Sequence, residues 1–122
     1  MSGKGRDYML FVEDILTAID KIETYTRNLS YEEFAATSVV IDAVIRNFEV
    51  IGEAAKNIPK RVKNRYPEIP WREAAGFRDV LIHNYFGIDI EAVWDTVHTN
   101  IPAFKEQILL VIRAETAGHE QK

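Results

Sequence analysis

Cysteine is absent from this chain, which excludes disulfide bonds and thiolate metal sites. The only three histidines, His83, His98 and His119, lack the spacing of ligands on one helix, so we expect no zinc site within the chain. No apolar run of membrane length and no signal-peptide pattern occurs. These absences predict a cytoplasmic protein without a metal, a cofactor or a membrane partner.

The chain also lacks an excess of positive charge, since 19 Asp or Glu outnumber 15 Lys or Arg and the formal net charge of the 122 residues is −4. This balance argues against indiscriminate nucleic-acid binding. Residues 56–78 are the exception, because they hold seven Lys or Arg against two Glu. Such a basic island either binds phosphates or is an ordinary solvated helix face, and charge alone does not separate the two.

Apolar residues recur at helical spacing along most of the chain. They predict helices over about 7–27, 30–57 and 70–84 and from 89 onward, with a short basic turn or helix at 60–66. At 47% hydrophobic residues, the composition suits a folded chain. We therefore predict a single all-α domain over 1–122, with its core at about 8–115 and a flexible tail at 117–122.

Several residues predict where these helices begin, end or pack. Ser30 and Glu33 form a capping-box pattern, Pro59 ends a helix, and Asp89 is placed to cap the last one. Pro102 predicts a kink or break near 99–102. Gly52, which is unfavourable in a helix, predicts the close approach of another backbone.

The chemistry-bearing stretch is 77–87, which sets Arg78, His83 and Tyr85 in the order Arg, four residues, His, one residue, Tyr. The planar guanidinium of Arg binds phosphate through paired hydrogen bonds, and the imidazole of His titrates near neutral pH. Together they suit the handling of a phosphodiester. The alternative is that both side chains only hydrogen-bond carbonyl groups at a helix end.

Helix geometry adds a constraint to this stretch. Residues five apart on an ideal helix point roughly 140° apart, so Arg78 and His83 of one copy do not share a face. We infer that a site here is composite, and a two-fold dimer is the simple way to build it. Tyr85 nearly eclipses Arg78, which leaves a core tyrosine as its alternative role.

A charged stripe runs along the predicted helix 30–57 at steps of three and four residues, and it includes Arg46 and Glu53. One interpretation is an exposed ladder of pairs such as Asp42–Arg46. The other is that Arg46 and Glu53 lie near a cleft that faces the motif or a partner.

The sequence resembles the HepT-like branch of the HEPN domains. The resemblance rests on three runs and covers about residues 8–115: Tyr66-Pro67-Glu68-Ile69-Pro70-Trp71-Arg72-Glu73, the motif Gly76-Phe77-Arg78-Asp79 with Leu81-Ile82-His83-Asn84-Tyr85-Phe86-Gly87, and Arg46-Asn47-Phe48-Glu49-Val50-Ile51-Gly52-Glu53-Ala54-Ala55.

This resemblance implies a four- to five-helix up-and-down bundle that forms a two-fold homodimer. It also implies a metal-independent endoribonuclease toxin, silenced by an MntA-like nucleotidyltransferase antitoxin that transfers AMP to Tyr85. In that setting Arg78 and His83 are the catalytic candidates, while Asp79, Asn84 and Tyr85 support them or bind RNA, as do Arg46 and Glu53 if they reach the cleft.

Two other functions fit the same residues. One is a non-catalytic helical dimer that serves as a nucleotide- or substrate-binding partner of a nucleotidyltransferase, which the net acidity also suits. The other is a purely structural dimerisation domain, which leaves the Arg78, His83 and Tyr85 set unexplained.

Overall fold

A computed structural model of the chain describes residues 4–77, 87 and 89–120. Within these residues the secondary structure is helical, as predicted, with no strand. The helices are α1 (Lys4–Thr26), α2 (Tyr31–Ala35), α3 (Ser38–Asn57), α4 (Lys60–Arg65), α5 (Trp71–Ala75), α6 (Ile90–Asp95), a π-helical segment (Thr96–Asn100) and α7 (Ile101–Glu120). None of the described helices is long and apolar enough to cross a membrane.

The long helices form one bundle around a shared core. Helix α1 packs along α3 and against α7, while α3 also packs against α5. The predicted stripes supply the core: Ile15 and Ile19 from α1, Phe48 from α3 and Phe104 from α7 are all buried. The apolar periodicity of the sequence therefore specifies which face of each helix turns inward.

The prediction of one continuous helix over 30–57 was wrong, because the chain leaves the helix at Ala36 and Thr37 between α2 and α3. Thr37 has non-helical backbone angles (φ −119°, ψ 85°), and its Oγ1 donates a hydrogen bond to the Glu33 carbonyl at 2.7 Å. A threonine hydroxyl competes in this way with the helical backbone, and the β-branched residues that follow weaken the helix further. The capping box ahead of the break is confirmed, since Ser30 Oγ accepts from the Glu33 amide at 3.1 Å and the Glu33 carboxylate accepts from the Ser30 amide at 2.9 Å.

The irregularity predicted near Pro102 takes the form of a π-helical turn rather than a break. The Ile101 amide donates to the Thr96 carbonyl five residues back, and both residues keep right-handed helical angles. A proline removes one amide and crowds the carbonyl four residues earlier, and a wider turn just before it relieves that crowding. The helical path thus continues from α6 into α7. It also extends through Glu120.

Candidate functional site

The five motif side chains predicted from the sequence lie outside the described residues: Arg78, Asp79, His83, Asn84 and Tyr85. Their predicted helix over 70–84 begins at Trp71, as expected, but one continuous helix was wrong, because α5 ends at Ala75 with Gly76 as its C-cap. The rest of the predicted span is described only as far as Phe77. The structure therefore defines the segments that flank the motif on both sides.

The upstream flank ends at a buried aromatic residue. Phe77 is 9% exposed and lies edge-on to two core rings, with its centroid 5.6 Å from that of Phe48 and 6.1 Å from that of Phe104. Such edge-to-face pairs stabilise a packing arrangement beyond their buried area. The residue immediately before Arg78 is thus held between α3 and α7.

A close backbone contact fixes the same flank one step earlier. A Cβ added to Gly52 of α3 would lie 2.9 Å from the Ala75 carbonyl oxygen and 3.5 Å from that of Ala74. Only glycine allows α5 to approach α3 so closely. The predicted role of Gly52 is confirmed, and its partner is the end of the helix that leads into the motif.

The downstream flank combines a glycine turn with a helix cap. Gly87 adopts a positive φ of 103°, a region that side chains rarely enter. Asp89 accepts a hydrogen bond from the Ala92 amide at 3.0 Å, which confirms its predicted role as the cap of α6. Together they turn the chain into the α6–α7 helical path directly after the motif.

Arg46 and Glu53 line one surface groove between α1 and α3. The groove has a volume of about 350 Å³, and its lining residues are Phe11, Asp14, Arg46, Glu49, Val50, Glu53, Ala54 and Asn57. Arg46 pairs with Glu49 at 4.0 Å rather than with Asp42, the pair expected from the sequence. Among the described residues that line it, three are carboxylates and one is a guanidinium, which gives this part of the groove an acidic character.

A second polar cluster, which we call the Glu115 clamp, was not predicted. It comprises Tyr8, Arg65, Tyr66 and Glu115. The Glu115 carboxylate accepts hydrogen bonds from the Tyr66 hydroxyl at 2.5 Å, from Arg65 Nη2 at 3.0 Å and from the Tyr8 hydroxyl. The clamp therefore joins α1, the end of α4 and α7.

The clamp shifts the ionisation of its members. Burial raises the pKa of Tyr66 to about 12, helped by the hydrogen bond that the hydroxyl donates to Glu115, and the pKa of Tyr8 is raised for the same reasons. Burial also acts to raise the pKa of Glu115, but the hydrogen bonds from Tyr66 and Tyr8 and the nearby Arg65 outweigh it and lower that pKa. The neutral tyrosines and the ionised carboxylate thus stabilise one another.

The remaining notable side chains have structural contacts. Trp71 is buried and its Nε1 donates to the Tyr66 carbonyl at 3.1 Å, so it is a core residue. The His98 ring lies 4.1 Å from that of Trp94, and its Nδ1 is 2.9 Å from the Trp94 carbonyl oxygen. In the described part of the chain, no three His, Asp or Glu side chains are grouped so as to hold a metal ion.

Comparisons with known proteins agree with the sequence motifs. The sequence model of the family "Ribonuclease HepT-like" matches residues 15–111. A Thermococcus cleftensis protein named "Probable ribonuclease HepT" is 49% identical over 100 residues, which cover 82% of this chain and 91% of that protein. Two Methanocaldococcus jannaschii proteins named "Putative RNase" are each 46% identical over 108 residues, covering 88% of this chain and 89% and 93% of theirs. No solved structure matches the chain.

The matched region contains both flanks and the whole Arg78–Gly87 stretch. It also contains Gly52, Phe77 and Asp89, whose contacts fix the described segments on either side of the motif. The predicted family and the predicted enzyme class, an RNA endonuclease, are thereby confirmed. The chain belongs to the HepT-like ribonuclease family.

Proposed function

We propose that this protein is a metal-independent endoribonuclease whose catalytic groups are Arg78 and His83. The observation that carries the proposal is the complete Arg78, His83 and Tyr85 motif in a chain whose family and relatives are named for ribonuclease activity. RNA contains its own nucleophile, because its 2′-hydroxyl lies next to the phosphate, so a protein needs only to move protons and stabilise charge.

The 2′-oxygen forms a bond to phosphorus while the bond from phosphorus to the 5′-oxygen breaks, which leaves a 2′,3′-cyclic phosphate and a free 5′-hydroxyl. One His83 accepts the 2′-hydroxyl proton, and a second, protonated His83 gives a proton to the leaving 5′-oxygen. Arg78 stabilises the charge on the non-bridging oxygens.

The other motif residues have supporting roles in this proposal. Asn84 holds a phosphate or a base edge, Tyr85 orients the RNA, and Asp79 orients Arg78 or His83. Each role places a polar group near a charged one, where hydrogen bonds are strongest.

A two-fold homodimer supplies the second His83 that this chemistry uses. The roughly 140° between Arg78 and His83 on an ideal helix supports a site shared by two copies. Light scattering at micromolar concentration should give the mass of a dimer. A strict monomer that still cleaves RNA would contradict the shared site.

We further propose that the protein is the toxin of a toxin–antitoxin pair, neutralised by an MntA-like nucleotidyltransferase. In that reaction the Tyr85 oxygen attacks the α-phosphorus of ATP, a new O–P bond forms, pyrophosphate leaves and the phenolic proton is lost. The added AMP places a bulky anion in the site, which repels RNA. Incubation with the antitoxin and ATP should add one AMP to the parent chain and none to Tyr85→Phe, whereas equal labelling of both would refute Tyr85 as the acceptor.

A non-catalytic partner of a nucleotidyltransferase is the second candidate function, favoured by the acidic groove between α1 and α3. RNA cleavage by the parent chain, His83→Ala and His98→Ala separates the two. We expect cleavage by the parent and by the His98→Ala control, and its loss in His83→Ala. Absence of cleavage in all three, with Tyr85 unmodified, would favour the binding partner.

A further inference from the structure

Four cationic side chains at the end of α3 and on α4 form what we call the basic ridge: Lys56, Lys60, Arg61 and Lys63. We propose that the basic ridge binds the phosphodiester backbone of a single RNA strand and leads it toward the motif. The inference rests on the proposed RNA-cleaving function and adds a substrate-binding surface to it.

The basic ridge is open to solvent, and no described acidic side chain neutralises its charge. Lys56, Lys60 and Arg61 are exposed and Lys63 is half-buried. None of the four forms an ion pair with the residues that the structure describes, although Arg61 lies 5.7 Å from the Tyr8 ring centroid. Lys105 of α7, by contrast, is paired, since its Nζ lies 2.8 Å from Glu23 and 3.4 Å from Asp20.

The helix that carries most of the ridge is firmly attached to the bundle. Val62 and Tyr66 are buried on the inner side of α4, whereas Lys60 and Arg61 are exposed. The Glu115 clamp holds the end of α4. Its carboxylate accepts hydrogen bonds from two tyrosines and Arg65 and forms no ion pair with the ridge. Cations fixed in place before binding lose less conformational entropy when a ligand arrives.

The ridge begins next to the segment that enters the motif. Lys56 lies one turn, or about 6 Å, beyond Gly52 along α3. Gly52 contacts the end of α5 at Ala75, and Phe77 follows two residues later, directly before Arg78. A strand bound along the ridge therefore reaches the upstream flank of the motif.

Charge complementarity selects RNA as the occupant. RNA carries one negative charge per nucleotide, and several cations along one surface match such a repeating polyanion. The acidic groove between α1 and α3 carries the opposite charge, since Asp14, Glu49 and Glu53 line it. Although the net charge is −4, the charges are unevenly distributed over the surface. The basic ridge therefore attracts RNA, and the acidic groove repels it.

The test measures RNA affinity in a His83→Ala background, so that the RNA stays intact. Fluorescence anisotropy with a labelled single-stranded RNA of mixed sequence compares Lys60→Glu/Lys63→Glu with Lys21→Glu/Arg27→Glu. Lys21 and Arg27 are exposed and without an ion pair to the described residues, and both double variants change the net charge equally. Thermal melting establishes that each variant is folded, and Lys60→Gln/Lys63→Gln replaces the ridge variant if it is not.

We expect the ridge variant to bind RNA about 25-fold more weakly at 0.1 M salt, if each lysine neutralises one phosphate. The slope of log affinity against log salt should also fall by about 1.4, while the control variant shows a smaller loss. Equal affinities and slopes for ridge and control variants would overturn the inference. If the ridge variant then failed only to bind the nucleotidyltransferase, the ridge would be a protein-docking surface instead.

The same ridge and control substitutions, made also in the parent chain with His83 intact, distinguish this inference from the proposed activity. If the parent chain cleaves RNA and the ridge variant binds and cleaves it equally well, the ridge is refuted and the ribonuclease proposal stands. If the parent binds RNA through the ridge but does not cleave it, the ridge stands and the catalytic proposal fails.

Discussion

Gly52 offers a sharp test of how α5 is held against α3, because its contact is with backbone atoms. In Gly52→Ala the new Cβ would lie 2.9 Å from the Ala75 carbonyl oxygen, and a backbone oxygen cannot rotate away as a long side chain does. Overpacking of this kind costs about 1–3 kcal/mol. The alanine also gains about 1 kcal/mol in helix propensity, which offsets part of that cost.

The expected net effect is a loss of about 0–2 kcal/mol in the free energy of unfolding, which lowers Tm by up to roughly 8 °C for a chain of this size. Gly76→Ala is the matched control, since a Cβ there meets nothing closer than 3.7 Å and the backbone φ is −101°. That control should be neutral or gain up to about 1 kcal/mol by restricting the unfolded chain. Thermal and urea unfolding measure both variants. Equal stability of Gly52→Ala and Gly76→Ala would refute the close contact between α3 and α5.

Three further predictions concern the clamp and a helix cap. Glu115→Gln should destabilise the fold by about 1–3 kcal/mol in urea unfolding at pH 7, because it weakens a charged network, whereas the exposed control Glu106→Gln should be nearly neutral. The pKa of Tyr66, raised to about 12, means that its stabilising effect is full below pH 10 and is lost as pH rises toward 12. Tyr66→Phe should therefore flatten the fall of Tm between about pH 9 and 12, and an unchanged slope would argue against this linkage. Ser30→Ala should cost about 1 kcal/mol of unfolding free energy, and an unchanged Tm would contradict the observed capping box.

The features that could be predicted from the sequence are those set by neighbouring residues. The capping box at Ser30, the cap at Asp89 and the helix end at Pro59 each depend on a few adjacent positions, and all are present in the structure. Gly52 was interpretable because glycine in a helix is costly unless something close requires it.

The features that were missed depend either on a side chain that competes with the helical backbone or on contacts between residues far apart in the sequence. The break at Thr37 results from a side-chain hydroxyl that competes with a helix whose apolar pattern runs on unchanged. The Glu115 clamp joins residues that are 49 and 107 positions apart, and no local pattern indicates such a contact. For the candidate site, the sequence identifies the side-chain chemistry, while the structure adds the contacts of Phe77 and Gly52 that position its upstream flank.

The most direct measurement of the central claim is RNA cleavage in the presence of EDTA. The parent chain, His83→Ala and His98→Ala are compared after mass spectrometry has shown that none carries AMP. We expect the parent and His98→Ala to cleave RNA in EDTA, and His83→Ala to lose at least about 100-fold in rate, as the removal of a general acid–base predicts. Cleavage that EDTA abolishes and magnesium restores, or a His83→Ala variant as active as the parent, would contradict the proposed mechanism.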